Sequence, residues 1–320
     1  MVARAFIHGL HCLAKLPKSW VVTIGSFDGV HRGHLAVLDQ VKSLSAEYEL
    51  PSLVIIFEPQ PYEFFSRESA PARLMRLREK VAALLQAGID SVVCLKFNQA
   101  LRSLTADEFI KQILVEGIGV KHLVVGDDFR FGCDRQGDFA LLVKRGAEYD
   151  FSVRDTCTLS QQQERISSTR IRHLLENSQL EEASQLLGHH FRVCGKVIYG
   201  KQLGRSLGFP TANIGLGRYR SPVNGVYAVT VSIAKGVYRG VANVGVRPTV
   251  GGVKKPILEV HILDFNSAIY GQYVQVEFLH KLREEQRFCS LDELRKQIQI
   301  DLKNAISYFS SDIKSETQPS

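Results

Sequence analysis

The sequence predicts two successive domains: a doubly wound α/β fold with a parallel sheet, then an antiparallel β barrel or sandwich that ends in a helix. Three observations predict this. The chain has 320 residues, which is longer than a domain with a single hydrophobic core usually is. In the first part, buried-strand patterns alternate with helical patterns. In the second part, short alternating runs are separated by glycine-rich turns.

The elements of the first part follow each other in strand–helix order. Thr105-Ala106-Asp107-Glu108 is a capping box that opens a helix, and Gly88 is a suitable C-terminus for the helix before it. Because ligands of doubly wound sheets lie at the carboxyl ends of the strands, we expect a site there. The apolar patterns predict strands at 20–24, 53–57, 91–95 and 122–125, and helices at 35–48 and 76–87.

The second part contains four runs in which apolar and polar residues alternate, the period of a half-buried strand. A capping box at Ser290-Leu291-Asp292-Glu293 predicts a final helix that reaches about Phe309. We place the domain boundary beside Gly188, giving domains 1–187 and 188–320. The four predicted strands are 225–233, 238–246, 257–263 and 273–281.

Composition and charge limit the function classes. A hydrophobic content of 45% excludes wholesale disorder, and no apolar stretch approaches the ~20 residues of a membrane helix. His8, His11 and Lys15 interrupt the N-terminal apolar segment, which argues against a signal peptide. We therefore expect a soluble, cytoplasmic protein without a membrane partner.

The positive charge is concentrated in the second domain. Up to Leu187 there are 22 Lys and Arg against 23 Asp and Glu, whereas the remainder has 18 against 10. A basic domain suits nucleic acid, an anionic membrane surface or a small phosphorylated substrate, and composition alone does not choose among them.

The first candidate site is the segment Gly25-Ser26-Phe27-Asp28-Gly29-Val30-His31-Arg32-Gly33-His34, between the first strand and the first helix. A helix N-terminus offers free N–H groups and partial positive charge to phosphate. His31 and His34 are three residues apart, so both side chains can point the same way. The alternative is a glycine-rich turn with incidental histidines.

A second segment of the first domain also suits phosphate. Ile166-Ser167-Ser168-Thr169-Arg170-Ile171-Arg172 places hydroxyls and guanidinium groups at the start of a helical pattern. The alternative is an ordinary helix N-cap followed by solvated arginines.

The H-x-G-H and S-S-T-x-I-R segments resemble the nucleotidylyltransferase superfamily. Together with Val125-Gly126-Asp127-Asp128-Phe129-Arg130-Phe131-Gly132, they resemble the adenylyltransferase module of the bacterial bifunctional riboflavin kinase/FMN adenylyltransferases. Three positions depart from the family pattern: Asp128 stands where many relatives have Asn, and Phe57-Glu58-Pro59-Gln60-Pro61 differs from the common form F-D-P-H-P at Glu58 and Gln60. The resemblance implies a Rossmann-like domain in which His31, His34 and Arg172 are catalytic, ATP is bound by Gly25, Phe27, Asp28, His31, His34, Ser168, Thr169 and Arg172, and the flavin nucleotide by Asp128, Phe129, Arg130 and Phe131.

The second domain offers two candidate phosphate segments. Gly195 to Gln202 nearly matches a Walker A loop, but Gln202 replaces the hydroxyl that holds Mg²⁺, and a β pattern follows instead of a phosphate-capping helix, so we reject it. In Gly204-Arg205-Ser206-Leu207-Gly208-Phe209-Pro210-Thr211-Ala212-Asn213, Pro210 favours an extended chain, so Thr211 and Asn213 share a face. Their oxygens suit Mg²⁺; the alternative is an exposed polar turn.

This segment is similar to the kinase motif of the same family, whose form is G-x-x-L-G-F-P-T-A-N. The resemblance implies a β-barrel kinase module in which Gly204, Gly208, Thr211 and Asn213 bind ATP, with Thr211 and Asn213 also holding Mg²⁺. Glu259 alternates with the apolar Leu258 and Val260, so it faces away from them. The alternative is a solvated strand carboxylate; the resemblance makes Glu259 the base that deprotonates riboflavin. Asn243 and Arg247 lie in a further matching block and are assigned to the flavin.

These features predict two ATP-dependent reactions: riboflavin to FMN with release of ADP, then FMN to FAD with release of pyrophosphate. Three alternatives remain. One is another nucleotidylyltransferase, acting on pantetheine phosphate or nicotinate mononucleotide; another is an RNA-binding protein; the last is a flavin-binding module that does not consume ATP. No aromatic stacking platform accompanies the basic residues, so no nucleic-acid partner is expected. The sequence does not predict an oligomeric state.

Overall fold

The structure is a computed structural model that describes residues 5–15, 17–66, 69–156, 160–161, 164–200, 204, 207–217, 219–234, 236–248 and 254–316. The chain forms two compact units. Unit 1 comprises Met1–Pro71 and Met75–Ser168, and unit 2 comprises Ala72–Leu74 and Thr169–Ser320. Among the described residues, no helix is long and apolar enough to cross a membrane.

Unit 1 contains a six-stranded parallel sheet with strand order β1-β4-β3-β2-β5-β6. The central strand β2 is buried along its whole length, as expected for a sheet covered on both faces. The strands are β1 (Ala5–His8), β2 (Trp20–Ile24), β3 (Ser52–Glu58), β4 (Ser91–Lys96), β5 (Val120–Val125) and β6 (Ser152–Asp155).

Helices cover both faces of this sheet, so the predicted doubly wound fold is confirmed. One core packs Trp20 and Val22 against the helical segment around Phe109, and the other packs Val21 and Val54 against helices α1 and α3. The helices are α1 (Arg32–Glu47), α2 (Pro61–Phe65), α3 (Leu77–Gln86), α4 (Gln99–Arg102), α5 (Ala106–Glu108, continued by a π-helical segment Phe109–Ile118) and α6 (Phe139–Tyr149), with 3-10 turns at Leu10–Lys15 and Cys133–Arg135 and a short hairpin of β7 (Ser160–Gln161) and β8 (Glu164–Arg165).

Unit 2 is a closed antiparallel barrel with strand order β10-β13-β12-β11-β14-β9. Closure decides between the barrel and the sandwich that the sequence left open. Its elements are α7 (Ser168–Glu176, of which the first residue belongs to unit 1), α8 (Leu180–Leu187), β9 (Arg192–Ile198), β10 (Ala212–Gly215), β11 (Gly225–Ile233), β12 (Gly236–Pro248), β13 (Lys254–Ile262), β14 (Tyr273–Arg283) and α9 (Leu291–Glu316).

The terminal helix α9 packs on the outer face of the barrel, where Ala305 and Phe309 contact Ala228. The predicted capping is present: the Glu293 N–H donates to Ser290 Oγ at 3.2 Å. The helix continues past Phe309 to Glu316, because no proline or glycine lies between these two residues to end it.

Strands β1, β6 and β9 were not predicted. β1 and β6 are four-residue edge strands with half-exposed patterns, too short for periodicity to separate them from loops. β9 contains Gly195, which lies close to the neighbouring strand. A Cβ on Gly195 would come within 2.4 Å of the Ile214 side chain and 2.8 Å of the Gly215 carbonyl oxygen. Glycine there permits close strand contact.

Candidate active sites

The loop between β2 and α1 has a strained backbone. Phe27 and Val30 have positive φ values of 45° and 39°, a conformation that is unfavourable for a β-branched residue such as Val30. Asp28 holds the loop: its Oδ1 accepts the Met75 N–H at 3.0 Å, and its carbonyl oxygen accepts the Ser168 hydroxyl at 2.8 Å. Asp28 is only 1% exposed, so its carboxylate holds the loop in place and does not face a ligand. Any contact of Asp28 with ATP would therefore be made by its backbone.

The two histidines lie together at the N-terminus of α1, as the spacing predicted. Their rings stack with centroids 3.6 Å apart, and His31 Nδ1 accepts the His34 N–H at 3.3 Å. A Cβ on Gly33 would come within 3.2 Å of both the His31 ring and the Ile166 carbonyl oxygen. A side chain at position 33 would therefore require the His31 ring or the segment before Ser168 to move by a few tenths of an ångström.

His34 is neutral near pH 7. Burial lowers its pKa well below the usual value, and the positive fields of His31, Lys80 and Arg165 lower it further. Its Nδ1 is buried without a hydrogen-bond partner among the described residues. A neutral imidazole still donates one hydrogen bond, so His34 can stabilise a phosphate oxygen as a donor rather than as a cation.

Lys80 was missed by the sequence analysis. It lies on α3 and is 1% exposed, although lysine is almost never fully buried. Its field acts on His34. The signal was available: Lys80 occupies the same helical face as the buried Leu84.

The structure brings Asp28, His31, His34 and Ser168 together in unit 1. Thr169 and Arg172 belong to unit 2, in the first two turns of α7. There the Arg172 Nε donates to the Ala72 carbonyl oxygen at 2.6 Å.

The loop after β5 carries the residues assigned to the flavin nucleotide. Asp128 forms an ion pair with Arg165, with 2.6 Å between Oδ2 and the guanidinium nitrogen, and this hydrogen bond lowers the pKa of Asp128. Arg130 donates to the carbonyl oxygens of Asp127 and Phe129. Phe131 is only 7% exposed, so it supports its stacked neighbour Phe129 rather than presenting a free face.

An aromatic group lies beyond the carboxyl end of β3. Phe64 and Phe65 contact Phe97 edge-on, and Phe65 is 61% exposed. Exposed aromatic rings at this edge suit a planar ligand. The nearby Gln60 is buried, and its backbone N–H donates to Glu63 Oε2 at 3.1 Å at the start of α2. This bond does not involve the side chain, and nothing in the structure explains the departure from His at this position.

In unit 2, three polar residues lie side by side on adjacent strands. Glu259 on β13 pairs directly with Asn213 on β10 and with Asn243 on β12. Directly paired residues point to the same face of a sheet, so the three side chains form one row. Leu258 and Val260 are buried on the opposite face, as the alternation predicted.

This row borders a cavity of about 250 Å³ between the outer face of the barrel and α9. Thr211, Asn243 and Glu259 line it. The other lining residues are Gly204, Leu207, Phe209, Val226, Val241, His261, Arg283, Glu285, Gln286, Phe288, Leu294, Ile298, Asp301 and Leu302.

The terminal helix supplies the cavity wall that sequence analysis missed. Leu294, Ile298 and Leu302 line the cavity, and their spacing of four residues puts them on one helical face, a signal that the sequence contains. Gly208 has a φ of +89°, and no atom lies within 4 Å of the position that a Cβ would take. Glycine is therefore favoured there by the backbone conformation of a turn and not by close packing. The side chain of Arg247 and the residues Arg205 and Ser206 lie outside the described part of the chain.

Thr211 and Asn213 fit Mg²⁺ by the chemistry of their donors. They alternate at the start of β10, and both supply neutral oxygens, which suit Mg²⁺ when phosphates and water complete its shell. Asn213 lies under Gly200, where a Cβ would come within 2.3 Å of its amide nitrogen. Among the described residues, no group of three or more His, Cys, Asp and Glu side chains could hold a metal.

Comparison with known proteins identifies two family domains in this chain. The FAD synthetase family model matches residues 13–170, and the riboflavin kinase model matches residues 187–309. The chain is 49% identical over 305 residues to the bifunctional riboflavin kinase/FMN adenylyltransferase of Escherichia coli (strain K12), covering 95% of this chain and 97% of that one. The Pseudomonas fluorescens relative of the same name is 50% identical, over 92% of this chain and 95% of that one.

A solved structure has the same fold over nearly the whole chain. It is described as "Macrolide-efflux Protein from Streptococcus pneumoniae", with a TM-score of 0.78, 31% identity and coverage of 95% of this chain and 98% of that chain. The two family models, the full-length relatives and the two site geometries lead to one conclusion: the chain belongs to the bifunctional riboflavin kinase/FMN adenylyltransferase family.

Proposed function

We propose that this chain phosphorylates riboflavin to FMN and then adenylylates FMN to FAD. Residues 188–320 carry the kinase reaction, which uses MgATP and releases ADP. Residues 1–187 carry the adenylyl transfer, which releases pyrophosphate. The observation that carries this proposal is the presence in one chain of a histidine pair at a helix N-terminus and a carboxylate–amide row on a barrel cavity.

In the kinase reaction, Glu259 accepts the proton of the riboflavin 5′-hydroxyl. The hydroxyl oxygen then bonds to the γ-phosphorus of ATP, and the bond from that phosphorus to the bridging oxygen breaks, leaving ADP. Thr211 and Asn213 would hold Mg²⁺, which when bound would neutralise part of the phosphate charge. Asn243, on the other side of Glu259, helps to orient the flavin.

In the adenylyl transfer, an oxygen of the FMN phosphate bonds to the α-phosphorus of ATP, and pyrophosphate leaves. The phosphate nucleophile is already ionised, so this step depends on positioning and charge stabilisation rather than on a protein base. The N-terminus of α1 supplies N–H donors, and His34 adds a neutral donor. Arg172 supplies a permanent positive charge.

Two variants with matched controls test this division. His34→Ala should stop FAD formation from FMN and leave FMN formation intact, with His122→Ala as the control, since His122 stacks on Tyr48 elsewhere in unit 1. Glu259→Gln should slow FMN formation by roughly 10²- to 10⁴-fold and leave supplied FMN convertible to FAD. Its control is Glu277→Gln on β14.

Thermal melting establishes that each variant is folded. Loss of both reactions in a folded His34→Ala or Glu259→Gln protein would contradict the assignment of one reaction to each site. Turnover of another phosphate with ATP, without FAD formation from FMN, would favour a different nucleotidylyltransferase.

A further inference from the structure

We propose that His261 is a positioning residue of the kinase reaction: its imidazole group holds the Pro210 carbonyl oxygen and thereby fixes the place of Thr211 near the proposed base, Glu259. This inference rests on the proposed riboflavin kinase function of the barrel. It assigns a role to a side chain that lines the barrel cavity but takes no part in the proton transfer or in holding Mg²⁺.

The imidazole group of His261 joins two segments that are 51 residues apart in the chain. Its Nδ1 lies 2.8 Å from the Pro210 carbonyl oxygen. A carbonyl oxygen only accepts hydrogen bonds, so Nδ1 is the nitrogen that carries a proton. The rings of Phe209 and His261 meet edge-on, with centroids 5.9 Å apart and an angle of 89° between their planes. The imidazole is therefore held both at one nitrogen and by a neighbouring ring.

This bond lies where the hydrogen-bonded ladder between β10 and β13 ends. Ala212 is the first residue of β10 and pairs with Val260. Continuing this register by one residue sets Thr211 opposite His261. The residue before it, Pro210, has no N–H and cannot donate to the ladder. The side chain of His261 thus supplies a bond from β13 to a segment that the backbone alone holds poorly.

Thr211 is confined by its neighbours on two sides. The Pro210 carbonyl and the Thr211 nitrogen belong to one planar peptide group, so a bond to that oxygen also fixes the backbone of Thr211. On the other side, a Cβ on Gly204 would come within 3.3 Å of Thr211 Oγ1. The Phe209 N–H donates to the Gly204 carbonyl oxygen at 2.8 Å, which closes the turn before Pro210.

Strand β13 connects this segment to the proposed base. His261 and Glu259 are two residues apart on one strand, so their side chains lie on the same face. Both line the same cavity as Thr211. One strand therefore carries the group that would accept the proton and the group that holds the segment with a proposed Mg²⁺ ligand. Reaction rates depend steeply on such distances, which gives a functional reason for the bond to Pro210.

The second ring nitrogen of His261 defines the competing explanation. Nε2 forms no hydrogen bond within the part of the chain that the structure describes, and the residue lines the cavity. A direct contact of Nε2 with a substrate would also make His261 important for the rate. The two nitrogens can be tested separately, because the amide nitrogen of Asn reaches the position of Nδ1, whereas that of Gln reaches the position of Nε2.

Steady-state kinetics of the full chain with His261→Asn and His261→Gln test the inference. The Asn variant keeps a donor for Pro210, so its kcat/KM for FMN formation should stay close to that of the wild type. The Gln variant loses this donor and should lose about tenfold or more in kcat/KM, because displacement of a positioned group by about 1 Å can cost roughly 10²-fold. The loss should appear as a higher KM for MgATP, with KM for riboflavin and FAD formation from supplied FMN unchanged.

His190→Gln is the matched control, because His190 bonds to Ser184 beside α8 and does not line the cavity; it should match the wild type. Thermal melting establishes that each variant is folded. If His261→Gln does not fold, His261→Ala takes its place, since it also removes the donor and adds no new side-chain contact.

Hydrogen–deuterium exchange of the ligand-free full chain gives a readout that is independent of activity. Peptides that cover residues 207–213 should exchange faster in the Gln variant than in the wild type, because the segment opens more often when the bond to Pro210 is lost. The same peptides should exchange at the wild-type rate in the Asn variant. Peptides from β14 should exchange equally in all proteins.

Two results would overturn the inference. One is a folded Gln variant with the kinetics and exchange of the wild type. The other is an Asn variant that is impaired while the Gln variant is not, which would assign the effect to a contact of Nε2. Absence of FMN formation by the wild type would instead refute the proposed kinase function, and the exchange rates would still report on the bond between His261 and Pro210. The two failures are therefore distinguishable.

Discussion

Substitution of Gly200 by alanine tests the placement of Asn213 in the kinase site. The new Cβ would lie 2.3 Å from Nδ2, 2.4 Å from Cγ and 2.6 Å from Oδ1 of Asn213. The whole amide group must therefore move by about 1 Å to reach ordinary contact. Displacement of a catalytic group by about 1 Å can lower the rate by roughly 10²-fold, so we expect that loss in kcat/KM for FMN formation.

The assay measures FMN from riboflavin and MgATP, and FAD from supplied FMN in the same preparation. FAD formation should be unchanged, because Gly200 and Asn213 belong to the barrel and not to the histidine site at the N-terminus of α1. Gly215→Ala is the matched control on the same barrel, since its Cβ would meet its nearest neighbour at 3.7 Å. A folded Gly200→Ala protein with kinase activity within threefold of the wild type would refute the assignment of Asn213.

Three further predictions concern protonation, the flavin loop and the terminal helix. The pKa of His34 is lowered on folding, so the unfolded state takes up the proton more readily. The unfolding free energy should therefore fall as the pH drops below the usual histidine pKa of 6.5, by at most ~1.4 kcal/mol per pH unit from this group. Unfolding free energies measured by urea melts at several pH values should depend less steeply on pH in His34→Gln than in the wild type. An equal dependence on pH in the two proteins would contradict this. Arg165→Gln should raise the pKa of Asp128, measured by carboxyl NMR titration, because the Arg165 hydrogen bond is the main cause that lowers it; an unmoved titration would contradict the ion pair. Ser290→Ala removes the N-cap of α9 and should cost about 1 kcal/mol, seen as a lower midpoint in urea; an unchanged midpoint would show that the cap is not formed.

Local patterns were sufficient to predict how the proposed site residues are placed within their own elements. The alternation around Glu259 predicted the face on which it lies, because a strand has a period of two. The spacing of His31 and His34 likewise predicted that their side chains lie together. In both cases the contact partners are close in sequence or are related by the period of one element.

The properties that depend on distant residues could not be predicted in this way. The neutral state of His34 arises from burial and from Lys80 and Arg165, which lie on other elements. Arg283 on β14 and Asp301 on α9 form an ion pair, and no periodicity relates these two residues. The closed barrel also depends on pairing between β9 and β10, where β9 was not recognised as a strand.

The most direct test of the account is incubation of the purified chain with riboflavin and MgATP, followed by chromatographic separation of the flavins over time. The account predicts that FMN appears first and that FAD then accumulates. It predicts FMN alone for His34→Ala, and FAD from Glu259→Gln only when FMN is supplied. A wild-type chain that consumes ATP without forming either flavin nucleotide, or that binds flavin without consuming ATP, would contradict the account.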